Sequence, residues 1–142
     1  MKTIIVSGYF DPVHIGHIEY MEEAKRLGDR LWVIINNDTQ VALKGSVAFM
    51  TAQDRFRIVS ALRVVDRTFL SVDKDRSVCK SLAVAGAMAL RSGEVIFANG
   101  GDATEGNVPE AEVCKTLGIK AAYGVVPQIA ESSKILAAAG VK

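Results

Sequence analysis

The sequence predicts an α/β fold: a single doubly wound five-stranded parallel sheet in the order 3-2-1-4-5, with helices on both faces. Two observations lead there. Short β-branched apolar runs alternate along the chain with longer segments of helical periodicity, the pattern of repeated βαβ units. The first run, Thr3-Ile4-Ile5-Val6-Ser7, is continuous rather than alternating and stops at Gly8, as a parallel strand covered on both faces does.

Each element follows from local chemistry. After the first strand, apolar residues recur at Ile15, Ile18, Met21, Ala24 and Leu27, a spacing that keeps one helix face apolar until Gly28 ends it. Arg30-Leu31-Trp32-Val33-Ile34-Ile35 is the second strand, so the opening βαβ unit has a right-handed crossover. Asn36-Asn37-Asp38 terminates it, and a long connection carrying Lys44-Gly45 runs to Thr51, an N-cap with Asp54 three residues on. Long connections of this kind usually cover a ligand. A helix over 52–63, a strand over 67–72, an Ala-rich helix over 75–91 and a fourth strand over 94–98 continue the alternation. Pro109 opens a helix that closes near Gly118, a fifth strand follows over 120–125, and a helix over 131–139 ends the series. There is no internal repeat, linker or low-complexity tract, so residues 1–142 read as one Rossmann-like domain.

Composition narrows the functional classes. The 142 residues, 49% of them hydrophobic, suffice for one sizeable core. Seventeen basic and sixteen acidic residues leave a formal charge of +1, so no global field favours nucleic acid or an anionic membrane. Cys79 and Cys114 match no zinc, redox or haem spacing and read as reduced thiols. The chain opens without a signal-peptide layout, and its longest weakly apolar stretch, 81–90, is too short to span a bilayer; a cytoplasmic protein is expected.

Ligands of doubly wound sheets bind beyond the carboxyl ends of the strands, where the strand order reverses. In a 3-2-1-4-5 sheet the loops there are Gly8-Tyr9-Phe10-Asp11-Pro12-Val13-His14-Ile15-Gly16-His17 and Asn99-Gly100-Gly101-Asp102. Gly8 permits a close backbone turn, His14 and His17 are one helical turn apart, and Gly16 between them leaves room for phosphate oxygens. Free N–H groups at that helix start favour an anion, and two imidazoles add donors where charge develops in phosphoryl transfer. The spacing would also suit a metal pair, but only carboxylates such as Asp11 are at hand to complete it, so no protein metal site is assigned.

At these residues the sequence resembles the cytidylyltransferase-like nucleotidyltransferases marked by His-x-Gly-His, here His14-Ile15-Gly16-His17. It is similar to glycerol-3-phosphate cytidylyltransferases and, more closely, to the nucleotidyltransferase domain of the heptose-phosphate enzymes of lipopolysaccharide-core synthesis. Comparable stretches are Lys25 to Leu31, Leu43-Lys44-Gly45, Arg55 with Val65-Asp66, and Asn99-Gly100-Gly101-Asp102. The resemblance implies that Gly8, Tyr9, Phe10 and Asp11 line a nucleotide pocket to which Arg55, Gly100 and Gly101 also belong. It further implies that His14 and His17 contact the reacting phosphates, that Lys44 neutralises acceptor or triphosphate charge, and that Asp102 lies beside the nucleoside. Trp32 reads as core. The family's last phosphate-gripping segment is altered: Ser132-Ser133-Lys134 match its end, but Glu131 replaces a small hydroxyl residue and Val126 stands where an arginine falls.

The mechanism implied is in-line attack of an acceptor phosphate oxygen on the α-phosphorus of ATP or CTP, with pyrophosphate leaving. A Mg2+ ion brought with the triphosphate holds its β- and γ-oxygens. The heptose-enzyme likeness makes a sugar or polyol phosphate the first expected acceptor. FMN, as in archaeal-type FAD synthases, is the alternative, and a non-catalytic nucleotide-binding module is the alternative from another class. A homodimer is compatible with the Ala-rich helix, and relatives often pair.

Overall fold

The computed structural model describes residues 1–100 and 103–125. Its order is β1 (Thr3–Gly8), α1 (Ile15–Lys25), β2 (Arg30–Ile35), α2 (Asp38–Leu43), α3 (Ala52–Ser60), β3 (Arg67–Leu70), α4 (Cys79–Leu90), β4 (Val95–Ala98), α5 (Ala111–Leu117) and β5 (Lys120–Ala122). The strands form one five-stranded sheet in the order β3-β2-β1-β4-β5, every pair parallel, as the alternating sequence pattern predicts.

The continuous apolar runs are explained by burial on two faces. Within β1, Ile4 and Val6 pack with Met21 and Ala24 of α1 and Val59 of α3. Ile5 points to the opposite layer, against Leu82, Ala85 and Ala89 of α4 and Cys114 of α5. Ile4, Ile5 and Val6 have no exposed surface, and each such side chain stabilises the fold by roughly 1.5–3 kcal/mol. The expected core position of Trp32 is met, since it packs in the α4/α5 layer.

Boundaries differ from expectation where side chains cap backbone. The connection after β2 contains a helix, α2, because Asn37 and Gln40 form a reciprocal capping box at its start. Helix α4 begins at Cys79 rather than near residue 75. The buried Asp73 carboxylate accepts the backbone N–H groups of Lys80 and Ser81, at 2.7 and 3.0 Å, so the preceding residues serve as a capping loop. Gly118 closes α5 with φ of 76°, the left-handed C-terminal conformation glycine adopts cheaply. Strand β5 is short because its pairing with β4 ends at Ala98↔Ala122. The helix expected over 131–139 lies outside the described residues.

The sheet opens at one place. Pairing of β1 with β2 continues to Gly8↔Ile35, whereas pairing of β1 with β4 stops at Ile5↔Phe97. Beyond that point the chain leaves β1 for α1 on one face and β4 for α5 on the other. Two loops leaving in opposite directions create the crevice that the strand order predicts. Among the described residues no helix is long and apolar enough to cross a membrane.

Candidate active site

The loop from β1 to α1 is shaped by its aromatic residue. Phe10 has φ of 51°, unusual for a non-glycine residue, and its ring is buried at 2% exposure. It folds back over Gly8 so closely that a Cβ there would lie 2.8 Å from the ring. Only glycine permits this return, and the edge of Phe10 then meets the His17 ring at a centroid distance of 5.0 Å. Phe10 is thus a buried residue that props the second histidine, and its place in a nucleotide pocket stays an expectation.

His14 and His17 build the helix start between them. The Nδ1 of His14 accepts the Gly16 N–H at 3.1 Å, and the Nδ1 of His17 accepts the His14 N–H at 3.2 Å. This is a capping box in which imidazoles replace the usual hydroxyl and carboxamide. The consequence is chemical. A ring nitrogen that accepts carries no proton, so the neutral tautomer of each ring bears its hydrogen on Nε2 and offers one N–H donor away from the backbone. The rings stack with centroids 3.8 Å apart and planes 29° from parallel, which keeps the two donors side by side at the first turn of α1. Burial, and then the neighbouring His14, lower the His17 pKa to about 4, so His17 is neutral near pH 7.

Two further contacts brace the crevice. The Tyr20 hydroxyl on α1 donates to the Ala98 carbonyl at the end of β4, at 2.6 Å, and its burial raises its pKa far above the ordinary phenol value. Gly100 lies against the same ring, where a Cβ would approach Tyr20 to 3.2 Å. A side chain at the entrance of the second loop would therefore have to push the Tyr20 ring and the Val125 carbonyl aside by a few tenths of an ångström. Gly101 and Asp102 lie outside the described residues, as do Ser132, Ser133, Lys134, Glu131 and Val126, so their expected roles stay expectations.

The connection between α2 and α3 belongs to this site. Both oxygens of Asp11 accept backbone N–H groups from it, Oδ2 from Phe49 and Oδ1 from Met50, each at 2.8 Å. At its other end the Lys44 ammonium sits 4.1 Å from the centre of the Tyr9 ring, a cation–π contact that keeps an exposed charge beside the first loop. Asp11 therefore acts as a tie between loops. Among the described residues Lys44 has no salt-bridge partner.

Arg55 lies beneath the first loop as a brace. Its side chain has no exposed surface, and it donates to the carbonyls of Tyr9, Asn36 and Met50 and to Asp38 Oδ1, at 2.6 to 3.2 Å. Every contact of the guanidinium is to the protein itself, and its part in nucleotide binding stays an expectation. The side chain holds four chain segments together beneath the first loop. Asp38 completes the brace, its second oxygen accepting the Ala52 N–H at 3.1 Å. Sequence reasoning missed Asp38, Tyr20, and the Asn36, Asn37 and Gln40 hub in which Gln40 Nε2 donates to the Asp75 and Ser77 carbonyls. The Asn-x-x-Gln spacing of that hub was its one readable signal. Among the described residues no group of three or more His, Cys, Asp or Glu side chains is arranged to hold a metal.

A parallel sheet that opens at a topological switch point, with two imidazole donors at the helix mouth, defines a nucleotidyltransferase domain. The chain belongs to the cytidylyltransferase-like family, whose model matches residues 5–134. It is 37% identical over 75 residues to the FAD synthase of Thermoplasma acidophilum, 53% of each chain. It is 40% identical over 75 residues to the FAD synthase of Ferroglobus placidus, which covers 53% of this chain and 49% of that one. These matches span about half the length of the curated relatives. The crystal structure of the lipopolysaccharide core biosynthesis protein of Thermoplasma volcanium is similar at a TM-score of 0.64 and 26% identity, covering 89% of this chain and 96% of the other.

Proposed function

We propose that this protein transfers AMP from ATP to FMN, forming FAD and releasing pyrophosphate. An oxygen of the FMN phosphate attacks the α-phosphorus of ATP, the bond to the bridging oxygen of the β-phosphate breaks, and pyrophosphate carries that oxygen away. The reading is carried by the paired Nε2–H donors of His14 and His17, fixed in that tautomer by their Nδ1 contacts. Such donors meet charge that grows on the phosphate oxygens in the transition state, where one preorganised donor is worth about 10²–10³ in kcat. The FMN phosphate is already ionised near neutral pH, so a general base is not required.

Likeness to several FAD synthases supports ATP and FMN as the substrate pair. Likeness to the lipopolysaccharide core biosynthesis protein supports the second reading, in which a sugar phosphate is the acceptor. In either reading the triphosphate would be bound as its Mg2+ complex, the ion supplying charge screening for the leaving pyrophosphate. Pyrophosphate release is to be measured with ATP or CTP against FMN and a panel of sugar and polyol phosphates. Release with ATP and FMN supports the first reading, release with sugar phosphates alone replaces it by the second, and nucleotide binding without any release overturns both.

A further inference from the structure

The segment from Lys44 to Met50 is an arch tied to the first loop at both feet, by the Lys44 ammonium on Tyr9 and by the Phe49 and Met50 N–H groups on Asp11. Its span carries two strongly exposed apolar side chains, Val47 at 94% and Phe49 at 74%. Scattered exposed hydrophobes need no explanation. These two are not scattered: they occupy one short span whose backbone is fastened three residues before His14, next to an exposed cation.

Resting on the reading that FMN is the acceptor, we infer that this arch is the acceptor-binding segment. Lys44 meets the phosphate, and Val47 and Phe49 form an apolar shelf that covers the flat tricyclic ring of the flavin. A sugar phosphate can lay only the C–H face of its ring on a phenyl group and keeps its hydroxyls in water, whereas a planar tricyclic ring gains more buried area and offset stacking. The Asp11 tie matters because it fixes Phe49 relative to the histidines, so that one ligand can touch both. Specificity for the acceptor then resides in side chains distinct from those that act on the triphosphate.

The test is FMN binding to the full chain, read by flavin fluorescence, for the wild type and for Phe49→Ala, Phe49→Trp and Val47→Ser, with ATP binding measured in parallel. Phe49→Ala is expected to raise the FMN Kd at least tenfold and Val47→Ser severalfold. Phe49→Trp is expected to restore wild-type affinity, with the ATP Kd within twofold throughout. Unchanged FMN affinity in Phe49→Ala overturns the shelf while leaving the proposed function standing. Loss of a dimer in that variant with unchanged FMN affinity overturns it too and gives the face to a second copy. A wild type that neither binds nor adenylylates FMN but turns over a sugar phosphate removes the functional reading and the shelf with it.

Discussion

His14 and His17 cap one helix jointly, each Nδ1 accepting a backbone N–H while the two rings stack at 3.8 Å. One motif therefore has a structural edge and a chemical edge, and substitutions separate them. Asparagine at position 14 keeps a side-chain oxygen able to cap but removes the outward donor. His14→Asn is expected to lower kcat by about 10²-fold or more with little change in Tm. His14→Ala is expected to lose the same turnover and in addition about 1 kcal/mol of stability. Steady-state kinetics beside thermal melts distinguishes the two.

The same geometry sets a pH dependence. His17 in the folded protein has its pKa lowered from 6.5 to about 4, so below pH 6.5 the unfolded chain binds a proton that the folded chain refuses. Stability thus rises with pH through this window: the contribution is complete above about pH 6.5 and is lost as pH falls towards 4. Urea denaturation between pH 7.5 and pH 4 is expected to show the decline, flatter in His17→Gln. An identical slope in the variant would assign the decline to other groups.

Arg55 is enclosed with four acceptors, so its removal leaves the Tyr9, Asn36 and Met50 carbonyls unpaired and Asp38 without its cation. Arg55→Met is expected to destabilise the fold by roughly 3–5 kcal/mol. Arg55→Lys is expected to recover only part of this, because an ammonium cannot reproduce the fork of the guanidinium. Chemical denaturation of both variants measures it.

Asp11→Ala removes two charge-assisted contacts to the arch, each worth about 1.5–3 kcal/mol before relaxation. The expected signature is local. Limited proteolysis between residues 44 and 50 speeds up, and the KM for the acceptor rises more than that for the nucleotide. An acceptor KM equal to the wild-type value would separate the arch from the acceptor.

Strand content and strand order were legible because they rest on long-period patterns such as the continuous run from Thr3 to Ser7, and the crevice where β1 parts from β4 follows from that order. What escaped was decided by single side chains reaching backbone far away in sequence. No periodicity reveals that Asp73 caps α4 or that Gln40 bridges to the carbonyls of Asp75 and Ser77. The bracing contacts of Arg55 are hidden for the same reason, since nothing in the sequence of α3 tells which carbonyls its guanidinium reaches. The inward turn of the Phe10 ring depends on a positive φ, which no pattern of residue types announces.

The hydroxyl of Tyr20 reaches the last residue of the fourth strand from the first helix, a separation of 78 residues along the chain. It works as a crossbar between the two sides of the mouth. A crossbar fixes width: the first helix cannot slide outwards without stripping a buried phenol of its acceptor. Widening the mouth by that route costs a buried hydrogen bond, so a bulkier guest meets resistance there before it reaches the imidazoles.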